Sequence, residues 1–411
     1  MAAPDSGARG RPGGPSRRQF LLGGAVAGLG ATLAVGLDAA LRPGDDPAPG
    51  PAEALHGEDT IPFHGAHQAG IAAGDQAHGV FVALDLAGGA GRDDLRRLMR
   101  ILTDDAARLT RGEAALADSE PELAASPARL TVTFAFGPGF VAAAEGTAPA
   151  WLAPLPAFSV DRLRPEFTGG DLLIHVASDD PITLAHATRM LLKDARSFAS
   201  VRWTQRGFRR AHRSVPDGTT QRNLFGQVDG TVNPRPGTED FDAVVWSADG
   251  WMAGGTGMVV RRIAMNLDTW DELDRPGRES AVGRRLDTGA PLTGTDEFDE
   301  PDFAATSAIG FPVIPTFSHM ARARGDGSER IFRKAYNYDE RPSGTDVSNA
   351  GLVFVSYQAD VAAQFVPIQR RLDEVDLLNE WTTPIGSAVF AVPPGCAEGG
   401  YIGETLLGDG A

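Results

Sequence analysis

Cysteine is nearly absent: one residue, Cys396, in a chain of 411. No intrachain disulfide can form, and no thiolate cluster exists to hold zinc or an iron–sulfur centre. Positive charge is also scarce. Thirty-eight Lys and Arg face 54 Asp and Glu, a net charge of −16, which argues against a nucleic-acid footprint or attraction to anionic lipid. A convincing membrane span is missing too. The weakly apolar run from Phe20 to about Leu41 is interrupted by Gly23, Gly24, Gly28, Gly30, Gly36 and Asp38, too weak for a good transmembrane helix. What remains is the composition of a soluble globular protein, 42% hydrophobic and 22% charged, long enough for two domains behind an N-terminal extension.

That extension carries an address. Ser16-Arg17-Arg18-Gln19-Phe20-Leu21-Leu22 precedes the Gly/Ala-rich run, the pattern of a twin-arginine export signal over residues 1–41. The expected partner is the twin-arginine translocation machinery, and the expected location is secreted, periplasmic or attached to the cell envelope. This route carries folded proteins, commonly with a cofactor already loaded. Residues 42–60 read as a Pro/Ala/acid linker.

Two folded segments follow, 61–215 and 216–411. In the first, His78 to Leu86 reads as a buried strand, and Arg92 to Arg111 as an amphipathic helix with Leu95, Leu98, Leu102, Ala106 and Leu109 on one stripe. Leu130 to Phe136 alternates as a half-buried strand, Asp171 to Ser178 is another, Pro181 opens a helix to about Phe198, and Val201 to Gln205 is a last strand. In the second segment, strands are expected at Asp242 to Ser247, Met258 to Leu267, Gly351 to Gln358 and Ala388 to Val392, with a helix over Val361 to Trp381. Each half therefore mixes strands and helices in similar proportion, as a duplicated α+β unit would. His64 and His67 stand three apart, but Gly65 and Gly70 speak against a regular metal-binding helix. His175, mid-strand among apolar residues, reads as a core histidine.

Two stretches carry chemistry. Gly226-Gln227-Val228-Asp229-Gly230 brackets one acid between glycines, behind Leu224 and Phe225 and ahead of Asn233-Pro234. It reads either as a surface Asp-Gly turn or as a turn holding a carboxylate over something that sits against bare backbone. About a hundred residues on, His319 stands between the apolar run Phe311 to Phe317 and an arginine cluster that includes Arg322, Arg324 and Arg333. Such clusters mean solvated surface or a bound anion. Arg333, flanked by Ile331, Phe332, Ala335 and Tyr336, needs an anionic partner if buried, and a lone histidine can be a haem ligand.

In this order the motifs resemble the dye-decolourising peroxidases, most closely their twin-arginine-exported deferrochelatase/peroxidase branch. The resemblance runs through His67-Gln68-Ala69-Gly70, Gly170-Asp171-Leu172-Leu173, Val201-Arg202-Trp203 and Asn223-Leu-Phe-Gly-x-x-Asp-Gly-Thr-x-Asn-Pro234. It continues through Thr288-Gly289-Ala290-Pro291-Leu292, Ser318-His319, Phe332-Arg333-Lys334-Ala335-Tyr336 and Gly351 to Gln358. It implies two ferredoxin-like α+β halves of the dimeric α+β barrel type, with one haem b per chain in the C-terminal half.

Carried over by position, the resemblance makes His319 the proximal iron ligand, Asp229 the distal acid and Arg333 the distal arginine. Gly230, Thr231 and Val232 would line the haem, and Arg324 is the candidate propionate partner, although the segment lacks the Asn-Pro-Arg usual there. Asp376 or Glu380 would take the other ring N–H of His319. The implied activity is peroxidase: one movable carboxyl takes a proton from one peroxide oxygen and returns it to the other, while an arginine steadies the developing charge. Hydrogen peroxide and dyes, phenols or other small reductants are the expected substrates, with Tyr338 or Trp381 as candidate electron relays. The alternative is a deferrochelatase or haem-binding protein that frees iron from haem. Self-association stays open.

Overall fold

The computed structural model describes residues 55–342, 344 and 346–408; the twin-arginine run lies outside them. The N-terminal half holds β1 (His78–Leu86), α1 (Arg92–Leu109), β2 (Thr131–Phe136), β3 (Leu172–Ser178), α2 (Pro181–Ala195) and β4 (Ala199–Phe208). The C-terminal half holds β5 (Thr256–Met265), α3 (His319–Arg324), β6 (Phe332–Arg333), β7 (Tyr336–Glu340), β8 (Asn349–Gln358), α4 (Val366–Val375) and β9 (Thr382–Val392).

In the first half the antiparallel neighbours run β2-β3-β1-β4. In the second, β6 and β7 both pair with the same edge of β8, and β8-β5-β9 completes the sheet. With β6 and β7 taken as one interrupted strand, both halves have the two-three-one-four order of a ferredoxin-like βαββαβ unit. The sheets join at two thin seams, Phe136 to Ala391 and Phe208 to Asn337, and so close into a barrel. The duplicated α+β architecture expected from the sequence is what the chain adopts.

Strand alternation sorts the core into layers. Val80, Val82 and Leu84 of β1 pack with Leu95, Leu98 and Leu102 of α1 and Leu191 of α2. Phe81 and Ala83 belong to a second cluster with Leu173, Tyr336, Tyr357 and Phe390 inside the barrel. Both faces are thus covered, so β2, expected to be half-buried, is buried throughout. Tyr336 fits because β1 and β4 present bare backbone to it: a Cβ on Gly79 would lie 2.9 Å from its ring, and one on Gly207 2.5 Å from its Cβ.

Two elements differ from expectation. Residues 242–247 are not a strand; Glu239–Val245 is a helix, capped by the Thr238 hydroxyl on Phe241 N–H and opened by Glu239, Asp240 and Asp242. Phe241, Val244 and Val245 are its buried face, a helical spacing that the short apolar run concealed. The helix expected over 361–381 is broken: a π-type turn Val361–Phe365 leads into α4, and Asp376 turns extended before a 3-10 turn Leu377–Glu380. That break aims Asp376 sideways, out of the helix. Among the described residues no helix is long and apolar enough to cross a membrane.

Candidate active site

The Gly-Gln-Val-Asp-Gly stretch is a tight loop closed on itself. The Asn223 side-chain oxygen accepts from Phe225 N–H and Gln227 N–H at 3.1 and 3.3 Å, and Gly226 N–H donates to Asn223 O at 2.9 Å. Gly226 sits at φ +81, where a side chain would be strained. Asp229 N–H then donates to Gln221 O at 2.8 Å, which fixes the acid at the end of the loop.

Arg333 Nη1 donates to Asp229 Oδ1 at 2.7 Å, and Asn223 Nδ2 to Oδ2 at 3.4 Å. The arginine is itself held by the same run. Asn233 Oδ1 accepts from Arg333 N–H at 3.0 Å while its Nδ2 donates to Arg333 O at 2.7 Å. One segment therefore supplies the acid and clasps the backbone of its cationic partner, whose strand β6 is only two residues long.

His319 opens α3 directly after its N-cap, Ser318. Its Nδ1 lies 2.6 Å from Asp376 Oδ2, and Asp376 Oδ1 accepts from Leu378 N–H at 3.0 Å. Burial alone would push the imidazole pKa down. The Asp376 carboxylate, through its charge and its hydrogen bond, outweighs burial and holds it above the ordinary histidine range. Of the two carboxylates considered, Asp376 is the partner; Glu380 is exposed. With Nδ1 committed, Nε2 is the nitrogen left to bind a metal.

Asp229, Gly230, Thr231, Val232, His319, Arg324 and Arg333 all line one cavity of about 580 Å³. The cavity also holds Leu352 and Phe354 of the Gly351–Gln358 strand and Arg284, which the sequence did not mark. Arg284 is buried and donates Nη1 to Gly289 O and Glu297 O at 2.7 and 2.9 Å. Arg324 spends part of its guanidinium on Glu300, 2.7 Å away. Thr231 donates its hydroxyl to Glu297 Oε1 at 2.9 Å.

The other histidines play no part here. His67 stacks on Trp246 at 3.7 Å and donates Nδ1–H to Gly254 O, while His64 lies 3.6 Å from Cys396 Sγ; among the described residues neither belongs to a group of three metal-ligating side chains. His175 stacks on Phe81 inside the barrel, where burial pushes its pKa down to about 3. Of the two candidate relays, Tyr338 is buried in the barrel under the Arg262 guanidinium and Trp381 packs edge-on against Trp270.

A carboxylate-backed imidazole and an acid paired with an arginine line one cavity with apolar wall, an arrangement with the donors that a haem-dependent peroxidase requires. The comparisons agree. The Dyp-type peroxidase N-terminal and C-terminal family models match residues 68–209 and 220–397, and the chain belongs to the Dyp-type peroxidase family. It is similar to a dye-decolorizing peroxidase of Thermobifida fusca, 38% identical over 96% of this chain and 97% of that one. A deferrochelatase of Escherichia coli O157:H7 is 32% identical over the same shares. A crystal structure of a DyP-type peroxidase from Cellulomonas bogoriensis superposes with a TM-score of 0.84 at 55% identity, covering 87% of this chain and all of that one. The chain is accordingly a haem peroxidase acting on hydrogen peroxide and a reducing substrate.

Proposed function

We propose that His319 is the proximal ligand of a single haem b, that Asp229 is the acid that moves the proton, and that Arg333 holds the peroxide oxygens. The observation that carries this is that a carboxylate-backed histidine and a carboxylate–arginine pair line the same cavity. The residues fit the group. The cavity is large enough, Leu352, Phe354, Phe365 and Ile368 supply apolar wall, and Arg284 and Arg324 offer positive charge for carboxylates. When bound, haem would supply, from its iron and its porphyrin ring together, the two electrons that cleave the O–O bond.

The chain's own work is proton handling and charge. Asp229 Oδ2, held only by the long 3.4 Å contact from Asn223, is the oxygen free to take a proton from peroxide and return it to the leaving oxygen. Arg333 Nη1 keeps the carboxylate oriented through Oδ1, and its other N–H groups point charge at the developing anion. Asp376 keeps the His319 ring in one tautomer and raises its basicity.

A second reading, haem as cargo from which iron is released, is supported by the deferrochelatase relatives. The assay that separates the two follows the pigment of haem-loaded protein under peroxide. A peroxidase keeps its haem and turns over the reductant, whereas a deferrochelatase accumulates iron-free porphyrin. The prior test is loading itself: the purified chain takes up one haemin per polypeptide and shows a Soret band, and His319→Ala loses the coordinated spectrum. A parent protein that stays colourless with haemin refutes the assignment. Export by the twin-arginine route rests on Arg17 and Arg18, outside the described residues; Arg17→Lys/Arg18→Lys should retain the precursor in the cytoplasm.

A further inference from the structure

The loop from Asp296 to Phe317 borders the cavity. At one end Glu297 holds the hydroxyls of Thr220 and Thr231. In the middle Pro301 and Phe303 line the cavity, and the far end runs into Ser318 and His319. Beyond Phe303 the chain forms a small hairpin, tied by Val313 N–H on Ala305 O at 2.9 Å and Ser307 N–H on Phe311 O at 2.8 Å. Its tip faces solvent.

Single exposed apolar side chains are ordinary, but several on one loop that borders a cavity mark a binding surface. Here Phe298 is 72% exposed, Ile309 80% and Phe311 69%, and Phe303 and Phe317 are also exposed. Five acids flank Phe298 and precede Phe303: Asp296, Glu297, Asp299, Glu300 and Asp302, with no Lys or Arg anywhere from Asp296 to Phe317. Backbone N–H groups of Asp296 and Thr295 hold the Asp299 carboxyl below its ordinary range. Two cations reach the loop from outside it: Arg324 is paired with Glu300 at 2.7 Å, and Arg284 donates to Glu297 O at 2.9 Å. Two rings set among five carboxylates, with three more exposed apolar side chains further along the same loop, suit a flat aromatic molecule that carries positive charge, through ring stacking, cation–π contact and Coulomb attraction together. A sulfonated dye of the same size meets the same rings and the opposite charge balance.

We infer that the Asp296–Phe317 loop is a docking surface for flat aromatic cations, selecting them over aromatic anions as reducing substrates. Its role in turnover rests on the peroxidase reading above; binding itself does not. The test uses the full haem-loaded chain without peroxide, titrated with a phenothiazinium dye and with a sulfonated anthraquinone dye at 20 and 300 mM NaCl as probe conditions. Expected is binding of the cation about tenfold tighter at low salt, with the preference shrinking at high salt. Phe298→Ala/Phe311→Ala should weaken cation binding about three- to tenfold. Asp296→Asn/Asp302→Asn, in which Asn can still accept the Ala304 and Ala305 N–H bonds of Asp302, should remove most of the preference. Equal affinity for the two dyes, or tighter binding of the anion, overturns the inference. So does sedimentation showing a dimer that Phe311→Ala converts to monomer, because the patch then belongs to a second copy of the chain. Peroxide consumption with a small phenol is followed in parallel. Its failure while dye binding persists counts against the peroxidase reading alone, and its persistence while dye selectivity is absent counts against docking alone.

Discussion

Replacing Asp376 by Asn isolates the part of the site that sets the character of the iron ligand. Asn keeps the shape and an acceptor oxygen but removes the charge 2.6 Å from His319 Nδ1. A hydrogen bond to a charged group contributes about 1.5–3 kcal/mol, and loss of an outer-shell carboxylate typically costs about 10–100-fold in metal affinity. Both figures describe the same interaction and agree, since each tenfold corresponds to about 1.4 kcal/mol. Haemin titration of the apoprotein should therefore show affinity weakened about 10–100-fold. If the lost charge favoured ferric over ferrous iron by that factor, the midpoint potential rises by about 60–120 mV, at about 59 mV per tenfold for one electron. Asp373→Asn is the control: that carboxylate, three residues away, binds Ser159 and Val160 N–H instead, and neither quantity should move. Unchanged affinity and potential in Asp376→Asn would refute the reasoning.

Asn233→Ala removes both hydrogen bonds to the Arg333 backbone. At about 0.5–1.5 kcal/mol each, kcat/KM for peroxide should fall about tenfold or more while the resting Soret band stays unchanged. His175 links stability to pH. Its folded pKa of about 3 lies below the ordinary value of about 6.5, so the unfolded chain binds the extra proton and stability falls as pH drops below about 6.5. Between pH 7 and 5 the parent should lose about 2 kcal/mol more than His175→Phe in urea titrations. Gly207→Ala places a methyl 2.5 Å from Tyr336 Cβ and 3.1 Å from Asn337 O; overpacking of this kind costs about 1–3 kcal/mol, read as a lowered Tm.

Much of the barrel was legible in the chain because both faces of its strands are covered. Apolar runs such as His78 to Leu86 and Gly351 to Gln358 carry that burial openly. What could not be read was short or tertiary in origin. β6 is two residues long, paired with β8 at Tyr357 and Ser356, and its Arg333 backbone is clasped by Asn233, a hundred positions earlier. Residues 242–247 read as a strand because Ala243-Val244-Val245-Trp246 is a short apolar run; the i, i+3, i+4 spacing of the helix appears only once Phe241 is counted with Val244 and Val245. At the site, Asp229 stands out as one acid between two glycines and His319 as a lone histidine ahead of the arginine cluster that holds Arg333, but their roles come only from the family resemblance. Asp376 could not be separated from Glu380 until the break after α4 showed which carboxylate turns inward. Arg284 left no mark in the sequence, since its partners are the carbonyls of Gly289 and Glu297.

The most direct measurement is stopped-flow mixing of peroxide with haem-loaded Asp229→Asn. Asn cannot carry the proton, and general acid–base contributions are typically about 10²–10⁴-fold. The peroxide-induced change of the Soret band should slow by at least about a hundredfold, with haem content and resting spectrum equal to the parent's. A variant that takes up haem normally and reacts with peroxide at the parent's rate would show that Asp229 is not the acid.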